Sequence, residues 1–502
     1  MSATSTVVDE WLAEQRRLTP IERFSTKHDA GTVPAQARYY RELIPANRPG
    51  PGQQYRFEID LDSCTGCKSC VVACNSLNGL DEDESWRSVG LLHGTVPGAR
   101  YQQTVTTGCH HCVDPACLEG CPVDAYEKDP ETGIVRHLDD QCIGCSYCTL
   151  TCPYEVPTYS KSRGIVRKCD MCHDRLAEGE APACVQACPN GAIQIGIVDT
   201  VVLVAAAATG TALVPGAPAS SMTVPSTEYR SARGQLDDVL AADRFAVKPA
   251  QAHTPLTVML VLTQLSVGAF VVDLVAQGSS RWGSAVAVLT GLLALGASVL
   301  HLGRPQYAWR AVIGLRHSWL SREVVAFGAF AGAAVPYAVF PFDALGYAVA
   351  AFGILGVVCS IQLYARTRRR WWRTSATATR FGLSTTVSGL ALVLVTNGGR
   401  SLAWGLIGAT SGKVLWELSV LRHRRRGDGD LAKTAQLLTG ELRRELLARV
   451  GLGLAGGIAI PALVLGGAPV AAVGLPLVVG AELLERRLFF TAVAPPRMPG
   501  LV

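Results

Sequence analysis

Sixteen of the seventeen cysteines in this 502-residue chain lie in one stretch that begins at Cys64 and ends at Cys188. Such crowding indicates either a disulfide scaffold or metal ligation. Disulfide scaffolds are typical of small secreted chains that cannot bury a sufficient core, whereas this chain is long enough for two or more domains. The residues after Arg16 and Arg17 do not form a continuous apolar segment, so a twin-arginine export signal is not indicated. Metal ligation is the favoured interpretation.

The cysteines fall into four groups of four. The first and third groups have the spacing C-x2-C-x2-C-x3-C, which is the bacterial ferredoxin pattern for [4Fe-4S] clusters. Structural zinc sites are the alternative, but four complete groups, three of them ending in Cys-Pro, favour clusters. The groups are Cys64, Cys67, Cys70 and Cys74; Cys109, Cys112, Cys117 and Cys121; Cys142, Cys145, Cys148 and Cys152; and Cys169, Cys172, Cys184 and Cys188.

In two-cluster ferredoxins the fourth cysteine of one group completes the cluster of another group. Four groups therefore predict four [4Fe-4S] clusters in an α+β ferredoxin-like domain, built from two pseudo-repeated two-cluster modules. Nothing in this region suggests catalysis, so we interpret it as an electron-transfer chain. His110 and His111 are placed to tune a cluster by hydrogen bonding, although ordinary packing is the favoured role.

Composition divides the chain into four regions. The first contains the predicted amphipathic helix Val7–Arg17 and is either a docking arm or a partly ordered tail. The segment Thr200–Val214 is too short for a membrane helix, which needs about 20 residues, and is predicted to be a strand and packing segment. The regions are an N-terminal extension (1–55), a cysteine-rich domain (56–215), a polar linker (216–254) and a transmembrane domain (255–490).

Uncharged or nearly uncharged stretches recur from Pro255 onward. The stretch Val450–Ala481 has 32 residues without a charge, and a helix of that length exceeds the bilayer core of about 30 Å. Residues 466–469 offer a turn within it, so we predict an all-α bundle of about eight transmembrane helices. The other six stretches are Pro255–Gln277, Trp282–Leu302, Val324–Phe342, Ala344–Ala365, Phe381–Gly399 and Ser401–Leu421.

The cysteine motifs closely resemble the iron–sulfur subunit of dimethyl sulfoxide reductase and its relatives. The membrane half resembles the quinol-oxidising anchor of that enzyme, within the wider polysulfide and nitrite reductase anchor superfamily. The two subunits are usually separate chains in the family, and here they are fused. The resemblance is carried by Cys64–Cys74, Cys109–Pro122, Cys142–Tyr154 and Lys168–Cys172, and in the membrane half by His301–Pro305, Ala308–Arg310 and Ser318–Glu323.

The resemblance implies how the cysteines share clusters and what the chain works with. It implies a separate catalytic subunit that holds a molybdenum bis-pterin cofactor, since nothing in this chain resembles that subunit. No nucleic acid is implied. The implied ligand sets are Cys64, Cys67 and Cys70 with Cys188; Cys169, Cys172 and Cys184 with Cys74; Cys109, Cys112 and Cys117 with Cys152; and Cys142, Cys145 and Cys148 with Cys121.

Ionisable groups inside a membrane domain are costly and usually functional. The resemblance places quinol chemistry at His301, which ends the second predicted helix and suits proton transfer. Glu323 is placed to pass the proton onward, and Arg304 to orient the headgroup of a menaquinone or ubiquinone. Gln264 and His253 are weaker candidates for quinone binding. The alternative for His301 is capping of a helix end.

Other polar residues of the membrane half suggest structural roles. Lys413 and Glu417 are four residues apart, which predicts an ion pair on one helix. Cys359 is most simply a small core residue. A proton-translocating module would need a connected chain of polar groups across the bilayer, and Asp273, Lys413, Glu417 and Glu482 are too few to predict one.

Loop charge predicts the orientation of the membrane domain. With eight helices, the loops on the side of the cysteine-rich domain carry 21 Lys and Arg residues, against Arg281 and Arg400 on the other side. The positive-inside rule therefore places the iron–sulfur domain in the cytoplasm, at the cytoplasmic membrane. Respiratory relatives have their catalytic side outside, so a cytoplasmic partner such as a nitrate reductase or a formate dehydrogenase is suggested.

The sequence thus favours a redox subunit that links the quinone pool to a partner oxidoreductase. Two alternatives remain, a cluster scaffold whose membrane half only anchors it, and a module of a proton-translocating complex. The chain is expected to contribute a quinol-oxidation site but no catalytic centre for the partner's substrate.

Overall fold

The structure is a computed structural model that describes residues 7–17, 19, 21–22, 37–96, 99–232, 239–244, 247–276, 280–425 and 429–500. These residues form an α+β half followed by a helical half. The strands are β1 Gln53–Asp60, β2 Ser88–Val96, β3 Ala99–Thr107, β4 Tyr126–Lys128, β5 Val135–His137, β6 Thr158–Ser160, β7 Ile165–Arg167, β8 Ile193–Asp199, β9 Glu228–Arg230 and β10 Leu240–Ala241. The helices of the first half are α1 Val7–Arg17, α2 Ala37–Tyr40, α3 Ser69–Asn78, α4 Ala116–Gly120, α5 Tyr147–Thr151, α6 His173–Ala177, α7 Ala183–Gln186 and α8 Thr200–Ala208.

Strand pairing brings the first and fourth cysteine groups together. β1 alternates buried and partly exposed residues, as expected of a strand with one face on a core. It pairs antiparallel with β8, so that Phe57 lies opposite Ile195 and Ile59 opposite Ile193. Because β1 ends just before Cys64 and β8 begins just after Cys188, their pairing places the two groups side by side.

The second and third groups meet through two short helices, α4 and α5, which pack against each other. Gly120 permits this approach, since a Cβ atom there would lie 3.0 Å from the Tyr147 ring. The antiparallel hairpins β4–β5 and β6–β7 connect successive groups.

One prediction for the region after Cys188 is wrong, and the predicted linker contains two short strands. Thr200–Ala208 is a helix and not a strand; its four consecutive alanines have the highest helix propensity, which outweighs the valines before them. Within the predicted linker, β9 joins β1 in parallel and β10 pairs with β2. These short strands gain their stability from sheet partners more than 130 residues away in the chain, which local composition does not reveal.

The helical half contains α9 Thr254–Val275, α10 Arg281–Val299, α11 Trp319–Val339, α12 Asp343–Ala365, α13 Thr374–Asn397, α14 Arg400–Leu418, α15 Asp430–Thr439, α16 Arg443–Leu454, α17 Ile460–Leu465 and α18 Ala471–Thr491. A π-helical turn at Ala455–Ala459 joins α16 to α17. Among the described residues, five helices are long and apolar enough to cross a membrane: α9, α10, α12, α13 and the joined α16–α17.

Three further long helices, α11, α14 and α18, carry buried charged side chains. α11 and α13 begin five and seven residues earlier than predicted, which puts Glu323 and Arg380 inside helices. Each of the eight predicted helices overlaps one of these helices, with the joined α16–α17 counted as one, and the crossing of the membrane by all eight stays a prediction.

Both ends of the helical half contact the α+β half. The chain enters α9 from residues that follow β10, and the backbone N–H of Ala250 donates to Thr491 O at the end of α18. After α18 the tail returns to the α+β half, where Met498 is fully buried in its core. Leu91 N donates to Gly500 O at 3.0 Å, and Arg497 pairs with Asp243 at 2.6 Å.

Candidate functional site

Two cavities gather cysteines from different groups. One is lined by Cys64, Cys67, Cys70 and Cys188, which we call site I. The other is lined by Cys109, Cys112, Cys117 and Cys152, which we call site II. Each cavity therefore combines three cysteines of one group with the last cysteine of another.

The remaining eight cysteines form two further sets. Cys74 lies close enough to Cys169, Cys172 and Cys184 for their thiol groups to interact electrostatically. We call this set site IV. Cys121 is similarly close to Cys142, Cys145 and Cys148, which form site III. No three His, Cys, Asp or Glu side chains of the described residues are close enough to share a single metal ion. Separated thiols around a cavity fit the corners of an iron–sulfur cage better than one tetrahedral zinc ion.

Shared neighbours give the order of the four sites. Arg87 interacts with cysteines of sites I and IV, and Lys168 with those of sites IV and II. Tyr126 lies among Cys117 of site II and Cys121 and Cys148 of site III. The order is therefore I, IV, II and III, with site III next to the helical half.

Three glycines form the junction between site III and the helical half. A Cβ atom on Gly303 would lie only 2.0 Å from Gly164 O, and one on Gly144 would lie 2.9 Å from Gly303 Cα. Gly144 also has a φ of +70°, which side chains disfavour. The backbone N–H of Arg304 donates to Ile143 O at 3.1 Å across the same contact. Backbones thus meet directly where the two halves join.

A cavity of about 320 Å³ lies beneath this junction. Its lining includes Ile143, Cys145 and Tyr147 from the third cysteine group and His301 and Glu323 from the helical half. Most of the remaining lining is aliphatic or aromatic. A largely apolar cavity with a few convergent polar groups is typical of a small-molecule site.

His301 is half-buried just after the end of α10, and its Nδ1 atom has no hydrogen-bond partner among the described residues. Burial lowers the pKa of His301 below its ordinary value. Burial therefore favours the uncharged form of the ring, which lines the cavity. Such a group can accept a proton from a bound hydroxyl.

Three polar side chains complete this end of the cavity. Glu323 is buried on α11 and accepts a hydrogen bond from Ser360 Oγ on α12. Tyr147 donates from its hydroxyl to Leu363 O at 2.6 Å, which ties site III to α12. Tyr364 lines the cavity beside Leu363.

The other predicted quinone-site residues do not line the cavity. Arg304 Nη1 donates to Asp139 O at 2.7 Å, so this side chain clamps the two halves together. Gln264 is buried and accepts from Arg486 at 2.9 Å. His253 packs edge-on against Phe490, and burial together with the nearby His301 lowers its pKa to about 4.

Sequence reasoning missed Tyr147, Ser360 and Tyr364 as residues of this site. Tyr147 stands between two cysteines of the third group, where the cluster motif accounts for the whole segment. Ser360 and Tyr364 carry no local signal, because their role arises only when α12 packs against α11. The predicted Lys413–Glu417 pair is present at 3.7 Å, and Cys359 is buried on α12 as a core residue.

Comparisons with known proteins match both halves. Family models described as "4Fe-4S binding domain" and "4Fe-4S dicluster domain" match residues 55–76 and 101–198. A model described as "DMSO reductase anchor subunit (DmsC)" matches residues 250–401.

Curated relatives match the α+β half. The B subunit of the anaerobic dimethyl sulfoxide reductase of Escherichia coli (strain K12) is 40% identical over 158 residues, which cover 29% of this chain and 75% of the relative. The corresponding B subunit of Haemophilus influenzae is 36% identical over 156 residues, 29% of this chain and 76% of the relative. The iron–sulfur subunit of the nitrate-inducible formate dehydrogenase of E. coli (strain K12) is 36% identical over 182 residues, 33% of this chain and 58% of the relative.

Proposed function

Because this protein belongs to the dimethyl sulfoxide reductase family, in which it joins an iron–sulfur subunit to a membrane anchor subunit, we propose that it links membrane quinone to a separate catalytic subunit. Four [4Fe-4S] clusters at sites I to IV carry the electrons between them. The catalytic subunit holds a molybdenum bis-pterin cofactor and docks outside the quinone cavity. The quinone is menaquinone or ubiquinone.

The observation that carries this proposal is that Cys145 and His301 line the same 320 Å³ cavity. A quinol headgroup there lies against a cysteine of site III, so electrons enter the protein without crossing the membrane. When bound, the cluster at site III supplies a one-electron acceptor. The four thiols gathered at each of sites I and II are the donor set that such a cluster requires.

The residues of this chain have distinct roles in quinol oxidation. His301 accepts a proton from the headgroup hydroxyl, since its ring lines the cavity and burial favours its uncharged form. Glu323, oriented by Ser360, receives the proton next and passes it towards the surface. Arg304 acts by positioning, because its bond to Asp139 O holds site III against the cavity. Each quinol yields two electrons and two protons, so two one-electron transfers complete one turnover.

The iron–sulfur domain is proposed to face the cytoplasm. The 21-to-2 distribution of Lys and Arg counted from the sequence includes Arg380, Arg449 and Arg486, which are buried inside helices. Leaving these three out reduces the larger number to 18 and keeps the asymmetry. Protons released at His301 then leave on the cytoplasmic side, which makes the reaction electroneutral when the partner consumes protons there.

Replacing His301 by Ala tests the proposed site. We expect quinol-driven reduction of the clusters to be lost, because general acid–base groups contribute roughly 10²–10⁴-fold to rate. Reduction by dithionite should persist, since the cysteines are untouched. Cluster reduction is followed by absorbance after mixing the purified protein with a quinol analogue.

His423→Ala is the matched control, because His423 belongs to the helical half but lies outside the cavity. Normal quinol-driven reduction in His301→Ala would contradict the proposal and favour helix capping at this residue. It would also favour the alternative in which the membrane half only anchors the clusters.

A further inference from the structure

Two buried cations lie inside the proposed electron-transfer chain. Arg87 and Lys168 are each 2% exposed. Neither forms a salt bridge with a carboxylate among the residues that the structure describes, and both bind neutral oxygen atoms instead. Burying a charge without a counter-ion is costly. The positions of these two side chains in the core therefore imply that a negatively charged group nearby stabilises them.

Lys168 lies between sites II and IV. Its side chain lines the site II cavity with Cys109 and Cys117, and it directly precedes Cys169 of site IV in the chain. The ammonium group donates to Cys169 O at 2.8 Å and also to Val135 O. The positive charge of Lys168 therefore lies next to the cysteines of both site II and site IV.

Arg87 lies between sites I and IV. Its Nη1 atom donates to Thr106 Oγ1 at 3.2 Å, and that hydroxyl is 3.5 Å from Cys70 Sγ of site I. Its Nη2 atom is buried and has no hydrogen-bond partner in the described part of the chain. Cys184 of site IV is also close to the Arg87 guanidinium.

Site III has a different electrostatic environment. Tyr126, which is uncharged, occupies the gap between sites II and III. His137, beside Cys142, is paired with Asp139 at 2.8 Å, so its charge is offset. Arg87 and Lys168 therefore border sites I, II and IV, on the far side from the cavity.

We propose that Arg87 and Lys168 are electrostatic tuning residues, whose positive charges raise the reduction potentials at sites I, II and IV relative to site III. Reduction adds one electron and makes a site more negative, and a nearby fixed cation stabilises that state. Electrons entering at site III are then drawn away from the membrane towards site I. This inference rests on the proposed function and adds a direction to it, from quinol to the catalytic partner.

Potentiometric titration of the purified full-length protein, monitored by electron paramagnetic resonance, tests the proposal at Lys168. We expect Lys168→Gln, which keeps a hydrogen-bond donor but removes the charge, to lower the midpoint potentials of sites II and IV and to leave site III unchanged. Lys168→Arg should retain the original values. Signals are assigned with single Cys→Ser variants of each site.

Lys128 offers a matched control. Its ammonium group donates to Cys112 O of site II at 3.0 Å, as Lys168 does to a site IV cysteine, but it is partly exposed to solvent. Solvent screens its charge, so Lys128→Gln should shift the site II potential less than Lys168→Gln. Equal potentials in Lys168→Gln and the unmodified protein would overturn the proposal, as would the same shift in Lys168→Arg.

Iron analysis separates failure of this inference from failure of the proposed function. Four clusters correspond to about sixteen iron atoms per chain, and a much lower value in the unmodified protein would reject the four-cluster function itself. If Lys168→Gln loses a cluster, Arg87→Gln and Arg87→Lys carry the same test at sites I and IV. Loss of clusters from both Gln variants would mean that the charges serve assembly, and the tuning role would be rejected.

Discussion

Glu323 is the residue that most clearly separates a working quinone site from a passive anchor. Its carboxyl is 4% exposed, inside an otherwise apolar part of the bundle. Ser360 is its hydrogen-bond partner, and no cation forms a salt bridge with it among the described residues. Structural charges in the same bundle are held in ion pairs, so a carboxyl without one that opens onto a cavity indicates a functional role.

Ser360→Ala tests the orientation of this carboxyl. A hydrogen bond to an ionisable group contributes about 1.5–3 kcal/mol, so its removal should slow quinol-driven cluster reduction roughly ten- to one hundredfold. Binding of a quinone analogue should change less, because Ser360 does not line the cavity. Stopped-flow absorbance measures the rate, and fluorescence quenching of a bound analogue measures the affinity.

The control for Ser360→Ala is Ser388→Ala. Ser388 is a buried helix serine whose hydroxyl has no partner among the described residues, and its removal should leave the rate unchanged. Equal rates in Ser360→Ala and the unmodified protein would show that Glu323 needs no orientation, and would weaken its assignment to the proton path.

At the scale of elements, the last helices are joined by a buried ionic network. Lys413 on α14 pairs with Glu482 on α18 and lies 3.7 Å from Glu417. Arg449 on α16 reaches Glu417 at 3.2 Å and Glu482 at 3.5 Å. Ser384 on α13 bonds both Lys413 and Glu482. The network ties four helices together, which is a structural use of buried charge.

The network extends towards the first helix through Arg486. This side chain donates to Gln264 on α9 at 2.9 Å and lies 3.4 Å from Glu485. Glu485 in turn lies 3.5 Å from Arg380 on α13. Gln264, predicted as a quinone ligand, therefore belongs to the framework of the bundle in this structure.

Lys413→Met should destabilise the helical half by about 3–5 kcal/mol, because it leaves the two buried carboxylates of Glu482 and Glu417 with one shared cation, Arg449, in place of two. Thermal unfolding in detergent, followed by circular dichroism, measures the loss. Arg487→Ala on the same helix as Glu482 is the control, since its pair with Glu445 is exposed and should contribute about 1 kcal/mol or less. Similar losses in the two variants would mean that the network is not a stabilising core.

The elements that could be predicted are those with a local signal. Cysteine spacing predicted the four groups, and long uncharged stretches predicted the positions of the long helices. The network was not predicted beyond Lys413 and Glu417, because its other members lie on helices that meet only in the packed bundle. Tyr147 and β9 were not predicted for the same reason, since the role of each depends on a partner that is distant in sequence.

For the whole molecule, the two halves form one unit and do not hang from a flexible linker. Arg368, in the connection between α12 and α13, donates to Met222 O of the α+β half. Arg310 and Ser318 donate to Asp140 O and Gly120 O from the connection between α10 and α11. Two of the loops placed on the side of the iron–sulfur domain, 303–323 and 366–380, therefore contact that domain, as does the tail that buries Met498.

This tail allows the orientation in the membrane to be read without relying on the number of helices. A reporter at the C-terminus ordinarily reveals only the side of the C-terminus, and the side of a distant domain then depends on an even or odd helix count. Here Met498 lies in the core of the iron–sulfur domain, so the C-terminus and that domain lie on the same side of the membrane.

We expect a fluorescent protein fused after the last residue to fluoresce in intact cells, and alkaline phosphatase at the same place to be inactive, because the basic loops face the cytoplasm. The same reporters fused after Pro341, in the connection between α11 and α12, should give the opposite pattern. An active phosphatase at the C-terminus would place the iron–sulfur domain outside the cytoplasm, and the catalytic partner would then have to be an exported enzyme.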